Sequence, residues 1–148
     1  MRIYLDCCCL NRPYDDLEND AVRMEAEAVV AIIDRCENNG WAFCSSDVLR
    51  DEIENNPDPF KKQKVLLLCR AASFHIDLTP AIVARAKELE RYGIKPYDAL
   101  HLACAEAGHV DVFLTTDRKL RTAAKKSDCA IKVENPLVWL TEALYDER

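Results

Sequence analysis

Five short apolar stretches, at residues 1–6, 41–44, 74–78, 112–115 and 131–133, alternate along the chain with longer segments of helical periodicity. That alternation limits the fold more than any other feature. Strands separated by crossovers of a dozen or more residues do not close as tight hairpins; they pair parallel, and a parallel sheet needs helices over both of its faces. The expected fold is therefore α/β, a three-layer α/β/α arrangement around a central, mainly parallel sheet.

The segments between the strands carry helix signals. Leu17, Ala21, Met24, Ala28, Ile32 and Cys36 recur at helical spacing and predict one long amphipathic helix, ended by Asn38-Asn39-Gly40 with Gly40 as a left-handed cap or turn. Ser45 and Ser46 can cap a short helix from 47 to about 55, and Asn56-Pro57-Asp58-Pro59 stops it. A helix over 60–72 sets Val65, Leu66 and Leu67 against Lys61, Lys62, Lys64 and Arg70. Thr79-Pro80 starts a helix that Gly93 closes, Pro96 opens one that ends at Gly108, and a basic helix covers 118–126. Asn135-Pro136 begins the last helix, with Leu137, Leu140 and Leu144 expected to face inward. Nothing reads as a linker, repeat or low-complexity tract, so one domain over 1–148 is expected.

Composition excludes several classes. Apolar runs such as 65–69 fall far short of the roughly 20 residues that span a bilayer. The first residues enter a strand without a signal-peptide pattern, so a cytoplasmic location and no membrane partner are expected. Eight cysteines then argue against a disulfide framework; Cys36, Cys44, Cys69, Cys104 and Cys129 read as small buried hydrophobes. Zinc would need close ligand pairs, and the chain has no C-x-x-C and only His75, His101 and His109. Cys7, Cys8 and Cys9, if extended, would alternate between faces and could not share an ion. A net charge of −6 argues against indiscriminate coating of nucleic acid, yet metal-binding carboxylates contribute to that charge themselves.

Four acids stand out. Asp6 ends the first strand and Asp117 follows the fourth, and in open α/β sheets ligands bind where strand carboxyl ends converge. A single Asp there is more often a turn former or helix cap; the pair carries more weight. Glu52 borders the inward stripe set by Val48 and Leu49, whereas Asp51 reads as a solvated charge. Asp98 lies in a first helical turn, where the dipole alone favours an acid, but its apolar neighbours Ala99, Leu100, Leu102 and Ala103 would make an unpaired carboxylate costly. Carboxylates gathered at one point repel each other, and a hard divalent cation, Mg²⁺ or Mn²⁺, resolves the repulsion. Such cations activate water and stabilise phosphoryl charge, which is what phosphodiester cleavage requires. With only Gly40, Gly93 and Gly108, the chain has no phosphate-binding loop or dinucleotide fingerprint, and no G-x-S-x-G elbow.

Ile3-Tyr4-Leu5-Asp6 followed by Cys9-Leu10-Asn11-Arg12-Pro13, the segment 46–53, Tyr97-Asp98-Ala99-Leu100-His101-Leu102-Ala103 and Leu114-Thr115-Thr116-Asp117 together resemble the PIN-domain family, in order and over nearly the whole chain. The resemblance implies a Mg²⁺- or Mn²⁺-dependent endoribonuclease that cuts single-stranded RNA, leaves a 5′-phosphate and a 3′-hydroxyl, and frequently forms homodimers. Many members, the VapC group among them, are toxins paired with an antitoxin protein. Carried over by position, Asp6, Glu52, Asp98 and Asp117 match the family's acidic quartet, with Asp6, Asp98 and Asp117 holding the metal and Glu52 completing the shell or orienting water. Thr116 and Asn11 fall at supporting positions. Cys7 and Cys8 depart from the small hydroxyl or amide residues that many members place after the first Asp. Arg12, Lys61, Lys62, Lys64, Arg118, Lys119 and Arg121 are candidates to hold the RNA backbone.

Two other classes compete. A catalytically inactive PIN-like scaffold that binds RNA or protein would have no physical need for four converging acids, and metal titration separates it from the nuclease. A phosphohydrolase or phosphorelay module with Asp6 as nucleophile would want a second Asp two residues on, where Cys8 stands, or a receiver-type Lys.

Overall fold

The computed structural model describes residues 1–147. Five parallel strands form the sheet: β1 (Arg2–Leu5), β2 (Ala42–Ser46), β3 (Phe74–Ile76), β4 (Val112–Leu114) and β5 (Lys132–Glu134), in the order β3-β2-β1-β4-β5. The helices are α1 (Cys7–Asn11), α2 (Asp20–Asn38), α3 (Asp47–Glu54), α4 (Pro59–Leu68), α5 (Pro80–Glu90), α6 (Pro96–Ala107), α7 (Arg118–Lys126) and α8 (Pro136–Asp146), with 3-10 turns at Arg12–Tyr14 and Cys69–Ala71.

Both faces of the sheet are buried, as the near-continuous apolar strands require. Successive strand side chains point to opposite faces. Tyr4, Cys44 and Phe113 therefore join one core with Leu89 of α5, Leu102 of α6 and Leu120 of α7. Ile3, Leu5, Phe43, Val112 and Leu114 join the other with Val29 and Ile32 of α2, Leu49 of α3, Val65 of α4 and Trp139 of α8. The three-layer α/β/α reading holds. Among the described residues no helix is long and apolar enough to cross a membrane.

Helix ends follow their capping chemistry. Ser46 accepts from Leu49 N, Asp58 from Phe60 N and Lys61 N, and Thr79 from Ile82 N, each satisfying amides that the first turn leaves unpaired. Gly40 and Gly93 occupy left-handed backbone at φ 82° and 85°, which fits the turns expected of them.

Several expectations are corrected. The cysteine run is helical rather than extended, because Asp6 caps α1 by accepting from Cys7 N; Cys8 Sγ turns to Asp6, Cys9 Sγ donates to Leu114 O and Cys7 Sγ accepts from Asn11. The long helix begins at Asp20, not 17, and buries Ala26, Ala28, Val29, Ile32 and Ile33, leaving Leu17 and Met24 exposed. Of the expected stripe Ala28 and Ile32 are buried, and the buried face widens to take in the adjacent Val29 and Ile33. On α8 it is Trp139 and Leu140 that are buried, and Leu144 lies at the surface. All eight cysteines are free, with Cys44 and Cys104 fully buried and Cys36, Cys69 and Cys129 partly so.

Candidate functional site

The strand order reverses direction at β1: the chain runs outward through β2 and β3, then returns to place β4 on the opposite side of β1. Loops leaving neighbouring strands in opposite directions open a crevice at their carboxyl ends. Asp6 and Asp117 stand at that crevice, and Asp6 N donates to Leu114 O at 3.0 Å, closing the top of the β1–β4 pair.

Asp6 is 6% exposed. Its Oδ1 caps α1 through Cys7 N at 2.8 Å, while its Oδ2 accepts from the Thr115 hydroxyl at 2.8 Å and the Cys8 thiol at 3.4 Å. Burial raises its pKa and so does the charge of Glu52, against lowering by His101 and by the Thr115 and Cys8 hydrogen bonds. Asp117 is the N-cap of α7: its Oδ1 accepts from Lys119 N and Leu120 N, and its own N–H donates to the Thr115 hydroxyl at 3.1 Å. The capping reading of Asp117 is thus met in full, yet one carboxylate oxygen remains uncommitted by it.

Asp98 is half-buried in the first turn of α6 and, among the described residues, its carboxylate receives no hydrogen bond. Burial, then the charges of Asp6 and Asp117 and, more weakly, Glu52 push it up to about 6, with only His101 pulling the other way. Those causes identify its neighbours: four acids from β1, α3, α6 and the end of β4 share one electrostatic environment. None of the four pairs with a lysine or arginine among the described residues.

Glu52 meets a histidine instead. His101 Nε2 lies 2.8 Å from Glu52 Oε1, and ligand atoms of Asp6, Glu52 and His101 all lie within 4.8 Å of one another. Asp98 and Asp117 stand outside that tight group. The donor set fits a hard divalent cation: carboxylate oxygens predominate, and among the described residues no lysine or arginine pairs with them to relieve their mutual repulsion.

Residues that the sequence reading left out of the site prove to organise it. Thr115, rather than Thr116, carries the hydroxyl that touches Asp6; the Thr116 backbone N–H goes to Cys8 Sγ at 3.4 Å. His101, Tyr4 and Ser46 are completely buried and hydrogen-bonded in series. The available signal was position: His101 follows Asp98 by one helical turn, so both face the same side of α6. Tyr97 Oη donates to Asp51 Oδ2 at 2.6 Å, so Asp51, exposed as expected, is also a tie between α3 and α6. Asn11 donates to Cys7 Sγ, and its buried Oδ1 has no partner.

The basic candidates separate into two groups. Arg12 is held by Asp15 and Glu25, Lys61 by Asp15, and Lys62 by Glu54. Arg121 donates to Thr115 O, and Lys64 lies 5.4 Å from the Phe60 ring centroid. Arg118 and Lys119 directly follow Asp117, are exposed, and have no ion-pair partner among the described residues.

The structure of VapBC2 from Rickettsia felis bound to a DNA fragment from their promoter is similar over 91% of this chain and 98% of that one, with a TM-score of 0.59 at 15% identity. That of PAE2754 from Pyrobaculum aerophilum is similar over 96% and 90%, with a TM-score of 0.54 at 14% identity. At such identities the likeness establishes the fold. No curated protein matches the sequence. The family model for the PIN domain matches residues 19–126, a span that includes Glu52, Asp98 and Asp117. With more than half of its length matched in this way, the chain belongs to the PIN domain family.

Proposed function

We propose that this protein is a divalent-metal-dependent endoribonuclease acting on single-stranded RNA. The observation that carries the reading is the set of four acids from separate elements, free of lysine and arginine partners, with the half-buried Asp98 carboxylate unsatisfied. In a crevice of this kind unpaired charge is unfavourable unless something positive occupies it.

Asp6, Asp98 and Asp117 would hold Mg²⁺ or Mn²⁺, with Glu52 beside them. Such a cation lowers the pKa of water and neutralises charge on a phosphoryl oxygen. The protein's own groups divide the remaining work. The Thr115 hydroxyl and the Cys7 amide fix both oxygens of Asp6, so its direction is set before substrate arrives. Glu52 orients the attacking water and can accept its proton. Arg118 and Lys119, unpaired beside Asp117, hold backbone phosphates of the RNA. The scissile ester breaks at its 3′ oxygen, leaving a 5′-phosphate and a 3′-hydroxyl.

The likeness to VapBC2 supports an antitoxin protein as a partner. Exposed Met24 and Val30 on α2, with Leu17 just before it, support assembly with a second copy. Incubation with single-stranded RNA and Mn²⁺, beside a chelator control and Asp98→Asn, tests substrate, metal and residue together. Cleavage that survives the chelator, or that Asp98→Asn leaves at full rate, refutes the proposal.

A further inference from the structure

Glu52 projects from a surface helix on a flexible side chain, about a third exposed, and His101 is its only hydrogen-bond donor among the described residues. What holds His101 is therefore what holds Glu52. The imidazole is completely buried between aromatic rings: Tyr4 at 5.6 Å and Tyr97 at 5.5 Å, both edge-on, with Phe113 stacked at 5.0 Å on the far side of Tyr4. Its Nδ1 lies 2.6 Å from Tyr4 Oη, which lies 2.7 Å from Ser46 Oγ. Ser46 Oγ accepts from Leu49 N at 2.9 Å and so caps α3, the helix that carries Glu52. The series leaves α3 at its cap, crosses the core through β1 and α6, and returns to α3 one turn and a half later.

Proton inventory fixes the direction of this series. Ser46 and Tyr4 each have one hydroxyl hydrogen. If Ser46 donates to Tyr4 and Tyr4 donates to His101 Nδ1, the imidazole proton is on Nε2 and points at Glu52; every buried donor and acceptor is satisfied. In the opposite direction, with a neutral ring protonated at Nδ1, the Ser46 hydrogen has no acceptor and a lone pair of Nε2 faces a carboxylate. Buried hydroxyls are rarely left unmatched, so the first arrangement prevails. It also makes Nε2 a donor, which removes its lone pair from metal coordination despite its place among the ligand atoms of Asp6 and Glu52.

We propose that His101 is a positioning residue for the nuclease chemistry, and that Ser46, Tyr4 and His101 form a buried brace that holds the Glu52 carboxylate at the cation site. The inference rests on the metal-dependent reading of that site and adds to it the group that fixes Glu52. Positional partners of this kind contribute about 10–100-fold to activity.

The substitutions that test it exploit side-chain length. His101→Asn retains an acceptor near Nδ1 for Tyr4 but no longer reaches Glu52, whereas His101→Gln reaches Glu52 with an amide donor. Steady-state cleavage of single-stranded RNA at saturating Mn²⁺ is expected to show kcat about 10–100-fold lower for His101→Asn at unchanged KM, with much of that loss recovered in His101→Gln. Long-range ¹H–¹⁵N spectra of the imidazoles in the metal-free protein should show His101 protonated at Nε2. An Nδ1-protonated ring, a half-saturating Mn²⁺ concentration that rises in both variants while kcat at saturation is retained, or full activity in His101→Asn would each overturn the brace. If wild-type protein cleaves and Asp98→Asn does not, that failure belongs to the brace alone. RNA left intact by the wild-type protein in Mn²⁺ overturns the nuclease reading, and the brace with it.

Discussion

In metal-free protein, replacing Asp98 by Asn should stabilise the fold above neutral pH and leave it unchanged in acid. Asp98 rises from 3.8 to about 6 on folding, chiefly through burial and then through the charges of Asp6 and Asp117. Because the folded state then binds the proton more tightly than the unfolded chain, the folded protein carries more protons between about pH 4 and pH 6. Stability from this group is therefore fully present below the unfolded value and is lost as pH rises through the folded one. Each unit is ~1.4 kcal/mol, which sets an upper figure of about 3 kcal/mol, and solvent screening of a half-buried carboxylate reduces it to about 1–2 kcal/mol.

The measurement is urea unfolding of wild type and variant in chelator across pH 4 to 8. The two free energies should coincide near pH 4, diverge through pH 6 with the variant the more stable, and remain a constant distance apart above it. Taking the difference between two proteins removes the other acids, which titrate in both. Adding Mn²⁺ should reverse the order, because ligand bound at 100 times its Kd stabilises by about 2.7 kcal/mol and the variant lacks one carboxylate for it. Equal stability at pH 8 in chelator, or a variant less stable there, would mean that Asp98 is not held among like charges and would remove the reason for expecting a cation.

Replacing both Arg118 and Lys119 by Ala should weaken RNA binding across sequences and flatten its dependence on salt by up to about 1.4 in the logarithmic slope, measured by fluorescence anisotropy; an unchanged slope refutes their role. Arg85 joins Glu106, Asp128 and Glu88 and so ties α5, α6 and the chain before β5 together. Arg85→Leu, which leaves the nearly buried Glu106 with only the Ala130 N–H as a donor, should cost about 1–3 kcal/mol in denaturant unfolding, and an effect below ~0.5 would show that water compensates. A methyl on Gly108 would overlap the buried Ile76 side chain, so Gly108→Ala should destabilise the fold by about 1–3 kcal/mol in urea unfolding, and unchanged stability would show that Ile76 gives way. Next to Gly108, His109 holds the left-handed backbone at φ 51°, and His109→Gly should raise stability by about 1 kcal/mol; a loss on that substitution would contradict the strain.

The sheet was legible because its strands are bounded by turn and capping residues whose physics is local: Ser46, Thr79 and Asn135 each announce a helix by their own hydrogen-bonding chemistry. Register on long helices was less so. Of the expected stripe Ala28 and Ile32 lie in the core, but Leu17 precedes α2 and Met24 is exposed, while Val29 and Ile33, each one position further on, are buried as well. Trp139 outranked Leu144 for a different reason: the interior side of α8 is chosen by Trp41 of the neighbouring layer, edge-on at 5.2 Å, and no local pattern encodes that partner. The acids at the crevice follow from residue type, strand ends, helix faces and the family resemblance, and their freedom from lysine and arginine partners could come only from three-dimensional placement.

The polar core behind the acids shows why such a site is partly hidden from sequence. A buried hydroxyl or imidazole is tolerated only where another group satisfies it, and the satisfying group lies wherever the topology puts it. Tyr4 and His101 are 97 residues apart, and Thr115 reaches Asp6 across 109, because β1 and β4 are neighbours only after the strand order has reversed. Thr115 and Thr116 are indistinguishable by type. Pleating decides between them: Tyr4 pairs with Phe113 and Leu5 with Leu114, so the Thr115 side chain follows the parity that brings it to Asp6, and Thr116 takes the other. The same parity sends Tyr4 to the face where α6 brings His101 and leaves Leu5 in the opposite core. One residue of register thus selects the hydroxyl that steadies Asp6, and a single-residue shift of β4 against β1 would turn Thr115 to the other face and remove that support.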